Sequence, residues 1–437
     1  MLDTLPPEIL ARVLEIAVQT WGVAFLPPVC LVSSTCNDVV VSTPSLWGVI
    51  VVNKRCSFSL LNRQLAKAKA TDLRISLHKR TNNKHARAAR RLMSDLVALS
   101  NNWVQAEISI NLLSMTKWAE LGRLQVLDVR FHDHDSGGSA DDFFGSEHPA
   151  RAPSLHSLTA WNLPEEWVTR FLSPRISYFQ YGGFEKQIPH STVIRYLSLT
   201  PNVHTLHLLN MQFPRLSESQ AITLPNLHNL ELDRIHNITT LLVNTCAPAL
   251  RVLSIRDCKG RLRSFFSDWS QPKWLPQHLQ SLELSHCVSS GDIPFLISWL
   301  ARLPSLLRLI ITQYAEFDSA EKELLRALAS PNGAGPPGVV RGWLCPSLTH
   351  LCLDASLRME DILPIARARG GAVPRAPGLS ATLRSMQAPL CASGTAEEVV
   401  EFRSCFVQPE DLRCLCLSCS FNITCAYCAT VSVIHKY

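Results

Sequence analysis

From residue 124 onward the apolar positions repeat one short phrase, apolar-x-x-apolar-x-apolar. Copies begin at Leu124 (LQVLDVRFH), Leu155 (LHSLTAWNL), Ile176 (ISYFQYGGF), Val203 (VHTLHLLNM), Leu227 (LHNLELDRI), Leu250 (LRVLSIRDC), Leu279 (LQSLELSHC), Leu306 (LLRLIITQY) and Leu348 (LTHLCLDAS). The alternating second half of the phrase is strand periodicity, one side chain in and the next out. Prolines just ahead of many copies, as in LPNL, APAL and CPSL, suit turns that deliver the chain into a strand. Between copies lie helical patterns such as SAEKELLRALA from Ser319, where Leu324, Leu325 and Leu328 share one face and the charges share the other. The pattern predicts an α/β chain in which strands alternate with returning segments.

The phrase resembles a leucine-rich repeat, and that resemblance implies an α/β solenoid of horseshoe type, spanning residues 56–437. In such an array Leu250, Leu253, Ile255 and their equivalents point into a shared core. The outward positions of the same strands stack into a continuous face. That face holds His204, His207, His228, Glu231, Arg251, Glu283 and Arg308, the expected target-binding residues. Its mixed, polar character suits a protein target and argues against RNA. Cys258 and Cys287 fall at equivalent positions, three residues past the second strand leucine, and the register predicts buried thiols that fill turns.

The first fifty residues follow a different rhythm. In DTLPPEILARVLEIAV, Ile9, Leu10, Val13, Leu14 and Ala17 form one helical stripe, with Pro6 and Pro7 at its start and Glu8 at the positive end of the helix dipole. In VCLVSSTCNDVVVS, Val29, Val32, Cys36, Val39 and Val40 share a second helical face, ending before Pro44. STPSLW then leads into VIVV, a strand. Two short helices and a Leu-Trp pair are too little chain to hide their apolar surface alone.

LPPEIL..VL at Leu5–Leu14, VCLV at Val29–Val32 and STPSLW at Ser42–Trp47 together resemble an F-box, in the form common in large fungal families. The resemblance implies a three-helix, all-α unit over residues 1–55 that docks on a Skp-type adaptor and so joins a cullin-RING ubiquitin ligase. It assigns docking to Leu5, Pro6, Ile9, Leu10, Leu14, Pro44, Leu46 and Trp47, with Leu46 and Trp47 as the dominant anchors. The second helix departs from the family pattern: Ser33 and Cys36 stand where Cys-x-x-Trp is usual. The expected function is the substrate-recognition subunit of an SCF-type ligase, acting without bond chemistry. The alternative is a leucine-rich-repeat interaction scaffold outside any ligase.

Composition narrows this further. Apolar residues make up 46% of the 437-residue chain and charged residues 18%, as in a folded protein. With 42 basic and 36 acidic residues, the net charge of +6 gives no global case for nucleic acid. Asp3, Glu8, Arg12 and Glu15 interrupt the first fifteen residues, which argues against a secretory signal. Arg302, Pro304 and Arg308 interrupt the most apolar later run, so no membrane span is expected. Fifteen irregularly spaced cysteines then fit a reducing cytoplasmic or nuclear setting.

No phosphate loop, nucleophile elbow or His-Glu-x-x-His occurs, and no cofactor is implied. Cys416-x-x-Cys419 and Cys425-x-x-Cys428 form the weak metal candidate, with only five residues between the pairs in a cysteine-rich tail over 412–437. FHDHDSGGSADD, with His132 and His134, reads as a solvated acidic loop. HKRTNNKHARAARR reads as a solvated basic helix face.

Overall fold

The computed structural model describes residues 5–52, 58–68, 71–77, 95–109, 121–130, 152–183, 188–213, 221–258, 262–268, 276–312, 319–331, 342–354, 359–370, 379, 381–388, 395–406 and 413–414. The chain divides into two compact units, Met1–Gly183 and Phe184–Tyr437.

The first unit opens with helix α1 (Pro7–Trp21), which starts on a proline with Glu8 in its first turn. It ends at Gly22, whose φ of +79° suits a residue without Cβ and lets its N–H reach the Val18 carbonyl at 2.8 Å. Helices α2 (Leu26–Cys30) and α3 (Ser34–Ser42) follow. The pattern predicts a single helix over this stretch, and the structure breaks it at Leu31–Ser33. Ser33 is extended (φ −159°, ψ 165°), and its Oγ accepts the Cys36 N–H at 3.1 Å, so it caps a new helix instead of continuing the old one. Val32 consequently leaves the apolar face and is exposed, while Cys36, Val39 and Val40 stay buried.

A 3-10 turn at Pro44–Trp47 leads into β1 (Val49–Val52), α4 (Phe58–Ala68), β2 (Leu73–Leu77), β3 (Trp103–Ser109), β4 (Val126–Arg130), β5 (Ser157–Trp161), α5 (Glu165–Phe171) and β6 (Tyr178–Gly182). Each strand pairs in parallel with the next. The helical segment and the sheet meet tightly. A Cβ on Gly48 would lie 2.5 Å from the Asp72 carbonyl oxygen, and the Gly48 carbonyl accepts the Arg74 N–H at 2.9 Å. The sequence divides helices from strands near residue 55. In the structure both belong to one compact unit, because Gln64 of α4 donates to the carbonyls of Trp47 (3.1 Å) and Val49 (2.7 Å).

The second unit comprises α6 (His190–Leu199), β7 (Thr205–Gln212), β8 (Ile222–Thr223), β9 (Asn229–His236), α7 (Ile238–Asn244), β10 (Thr245–Cys246), β11 (Val252–Arg256), α8 (Arg263–Asp268), β12 (Ser281–Ser285), α9 (Ile293–Leu300), β13 (Arg308–Thr312), α10 (Ser319–Ala329), β14 (His350–Asp354), α11 (Met359–Arg369), β15 (Ser385–Ala388), α12 (Ala396–Ser404) and β16 (Arg413–Cys414). Strands β7, β9 and β11–β16 form a parallel ladder in that order, and β8 pairs with β10. A strand laid beside its successor, repeat after repeat, is solenoid architecture.

Register carries the repeat. Leu206, Leu230, Leu253, Leu282, Leu309, Leu351 and Met386 align across the ladder, all buried, as the phrase predicts. A left-handed residue recurs at one repeat position: Asn162 follows β5 in the first unit, Asp257 and His286 follow β11 and β12 in the second, and Asn210 and Arg234 lie inside the longer β7 and β9. There the backbone N–H turns to the next strand, Asn162 donating to Gly182, Asp257 to Ser285 and His286 to Thr312 at 2.7–2.8 Å. Asn, Asp and His tolerate this geometry better than other residues with a Cβ, which accounts for four of the five.

A buried cation stands out in the second unit. Arg369, at the end of α11, is 1% exposed and stacks on Trp343 (5.1 Å from guanidinium to ring centroid). It donates to the Leu328 carbonyl at 2.6 Å, to the Cys345 carbonyl at 3.1 Å and to the Leu344 carbonyl. Gly370 follows it, where a Cβ would collide with the Cys405 carbonyl at 2.2 Å.

Candidate functional site

Two surfaces, one in each unit, hold the residues singled out by sequence. On the helical segment the expected docking set splits. Leu46 (0% exposed) and Trp47 (5%) lie inside the unit, together with Leu10 and Leu14. The Trp47 indole Nε1 donates to the Val40 carbonyl at 2.8 Å, and the Lys67 ammonium sits 4.0 Å from its ring centroid. The expectation that Leu46 and Trp47 present anchors to a partner is therefore corrected: their area is already covered by their own chain. Leu5 and Pro44 are half-buried, and Pro6 and Ile9 are exposed.

What α1 shows to solvent is a second apolar row, Ile9 (51% exposed), Val13 and Ile16, at helical spacing. The sequence places Ile9 and Val13 in one helical stripe with Leu10, Leu14 and Ala17. The structure turns that stripe inward on Leu10, Leu14, Ala17 and Val18 instead. Leu31 (88% exposed), Val32 and Val41 add further exposed apolar side chains, and Trp21 is exposed against Phe25. Glu15 braces this segment, accepting from the Ser45 hydroxyl at 2.7 Å and the Arg12 guanidinium at 2.7 Å. The Ser45 hydrogen bond is the main reason its carboxyl titrates below the usual range, with Arg12 adding to it against partial burial.

On the outward face of the second unit, His207, Glu231, Ser254, Glu283 and Ile310 align in one row. The row is internally wired. His207 Nε2 lies 3.1 Å from Glu231 Oε1. Glu283 accepts two N–H bonds from Arg256 (2.7 and 2.8 Å) and bonds from the Ser254 hydroxyl (3.0 Å) and the Ser285 hydroxyl (3.3 Å). Partial burial pushes the Glu283 carboxyl up, but Arg256 and the two hydroxyls outweigh it and hold it below 4.5. Burial, with the Arg256 charge adding to it, pulls the His207 imidazole below its ordinary range against the raising effect of Glu231. Arg256, which sequence reasoning passed over, and Ser254 thus decide what Glu283 presents.

The other predicted face residues lie toward the strand starts. The His204 and His228 rings stack at 5.4 Å, 4° from parallel. Arg251 and Arg308 are exposed, and neither forms an ion pair with a described residue.

The expected turn thiols Cys258 and Cys287 are buried, and so is Cys345. Cys258 Sγ accepts the Ile235 N–H at 3.4 Å and lies 3.5 Å from the Leu232 carbonyl, Cys287 Sγ meets the Ile255 carbonyl at 3.5 Å, and Cys345 Sγ meets Leu300 at 3.5 Å. Burial pushes the Cys258 and Cys345 thiols up to about 12 and raises Cys287 well above its ordinary value. Cys416, Cys419, Cys425 and Cys428, the His132–His134 loop and the basic 78–91 segment lie outside the described residues. Among the described residues no three His, Cys, Asp or Glu side chains converge as a metal-ligand group, and no helix is long and apolar enough to cross a membrane.

No family model matches the chain, and no curated protein matches it. Among solved structures it is similar to the crystal structure of a TLR13–ssRNA13 complex, at 15% identity and a TM-score of 0.41. The match covers 78% of this chain and 42% of that one, so the chain spans less than half of that neighbour's length. The solenoid assignment rests on the strand ladder itself.

Proposed function

We propose that the chain is a two-surface adaptor: an F-box-like helical segment that docks on a Skp-type subunit of a cullin-RING ubiquitin ligase, and a repeat sheet that holds a protein target. It acts by proximity and performs no bond chemistry of its own. The observation that carries the reading is the exposed apolar row Ile9, Val13 and Ile16, together with exposed Leu31 and Val32. These side chains would leave water on contact with a partner, while Leu46 and Trp47 hold the segment in shape behind them.

The test is capture of the full chain by a purified Skp-type adaptor, in wild-type, Ile9→Glu/Val13→Glu and Leu31→Glu forms. The reading expects micromolar capture by wild type and at least tenfold loss in the surface variants, with circular dichroism unchanged. Absence of wild-type capture would leave a repeat scaffold outside any ligase.

A further inference from the structure

The outward face of the second unit changes character between β12 and β13. From β7 to β12 its charged side chains are bonded to one another: His207 to Glu231, Arg234 to Asp233, and Arg256 with two serine hydroxyls to Glu283. A target that touches them there must displace bonds already made, and each exchange returns little net free energy. On β13 and β14 the register instead sets Ile310 beside Cys352, both half-buried. Among the described outward positions of this ladder, it is the one place where two apolar side chains stand side by side on adjacent strands. A cysteine in such a place behaves as a small apolar surface.

Arg308 lies two residues before Ile310 on β13, and so projects from the same face. It is exposed, forms no ion pair with a described residue, and has Ser281 and His350 as its neighbours in register, neither of them a carboxylate. Glu283, the neighbour of Ile310 on β12, is already held by Arg256. The patch thus combines an apolar floor with an uncommitted cation one two-residue step away along the strand, ~7 Å at ~3.3 Å per residue.

We propose that β13 and β14 hold the target by an extended protein segment with an aliphatic side chain and a carboxylate two residues apart, the first seated on Ile310 and Cys352, the second on Arg308. In an extended chain, side chains two residues apart share one face and repeat the ~7 Å step that separates Ile310 from Arg308, so a segment running along the strands meets both groups at once. Charge selects the acidic partner, since Arg308 is the cation of the patch whose charge no described side chain answers. The apolar pair supplies the anchor, as aliphatic contacts freed of water do in interfaces generally. The inference rests on the reading of the sheet as the target-holding surface and names the chemistry of the target.

Fluorescence anisotropy on the full chain would use labelled peptides of about eight residues with leucine and glutamate two apart in a serine-glycine background, in both sequence orders because the segment can run either way. Companion probes place the two residues next to each other, replace leucine by serine, or replace glutamate by lysine, and a single-stranded RNA oligonucleotide completes the set. The expected result is saturable binding by at least one spaced peptide, weakened about five- to tenfold by Ile310→Ser, by Arg308→Ala, by the leucine-to-serine change and by adjacent placement. Arg308→Glu, a change at an exposed position, should reverse the preference to the lysine peptide. No saturable binding by either spaced peptide, indifference to Ile310→Ser and Arg308→Ala, equal binding of the adjacent probe, an unreversed preference in Arg308→Glu, or tighter capture of RNA overturns the proposal. Adaptor capture is scored on the same protein through the other unit, so loss of one activity with the other intact shows which reading has failed.

Discussion

Trp47 is tied to Val40 by an indole N–H that reaches back seven residues to a carbonyl in the last turn of α3. Trp103 repeats the device on Leu96, again seven residues back, at 3.1 Å. Val40 lies near a helix end where the chain's own N–H groups run out, and there the indole supplies the donor, whereas the Leu96 carbonyl also accepts the Leu99 N–H at 3.0 Å. Trp47→Ala is expected to cost about 3–5 kcal/mol. Trp47→Phe, which keeps most of the volume but leaves the Val40 carbonyl without its donor, should cost about 1–2 kcal/mol. Denaturant unfolding of the full chain measures both. Any loss of adaptor capture in Trp47→Ala should follow the loss of folded protein.

Arg369 supplies a second stability test. Three carbonyls and one ring meet its guanidinium, and burial lowers its pKa to about 10, which leaves it cationic at neutral pH. Arg369→Met removes every donor while keeping the stem, and should destabilise the second unit by about 2–4 kcal/mol. Arg369→Lys should not restore it, because a single ammonium cannot reproduce the planar fork. An unchanged unfolding midpoint in Arg369→Met would refute the role.

The outward row predicts acid sensitivity. His207 titrates below 6.5 in the folded chain, so as pH falls through 6.5 the unfolded chain gains a proton that the folded one does not, and stability declines. Glu283 titrates below 4.5, so its contribution is complete above that value and is lost as pH falls past it. Melting temperature should therefore drop in two stages on acidification. His207→Gln should flatten the first and Glu283→Gln the second. A wild-type profile in either variant would remove that residue from the account.

Arg234 occupies the recurrent left-handed position inside β9 with a side chain poorly suited to it, φ +53°, and holds a partly exposed contact to Asp233 at 3.2 Å. Arg234→Asn should raise stability by about 0.5–1 kcal/mol, read from the denaturation midpoint. A loss of similar size would mean the Asp233 contact outweighs backbone strain.

The repeat sheet was legible because one phrase recurs with strand alternation: the inward leucines are where their spacing puts them. The helical segment was legible only in part. A stripe of adjacent pairs, Ile9-Leu10 and Val13-Leu14, does not say which member of each pair turns inward; packing against α3 and the Pro44–Trp47 turn decides it. Leu-Trp after a proline reads equally as an anchor or as core, and Val40, Gln64 and Lys67, far apart in sequence, make it core. On the strand face sequence marks which residues point outward. It does not mark that Glu283 is consumed by Arg256, two positions along on the adjacent strand.

Cys258, Cys287 and Cys345 add a consequence of another kind. Each thiol is sealed against a carbonyl of an earlier segment and held protonated, so an alkylating reagent reaches it only when that stretch of the ladder parts. The chain thus carries three native clocks along its length, and their labelling rates would time the breathing of individual repeats without any foreign probe.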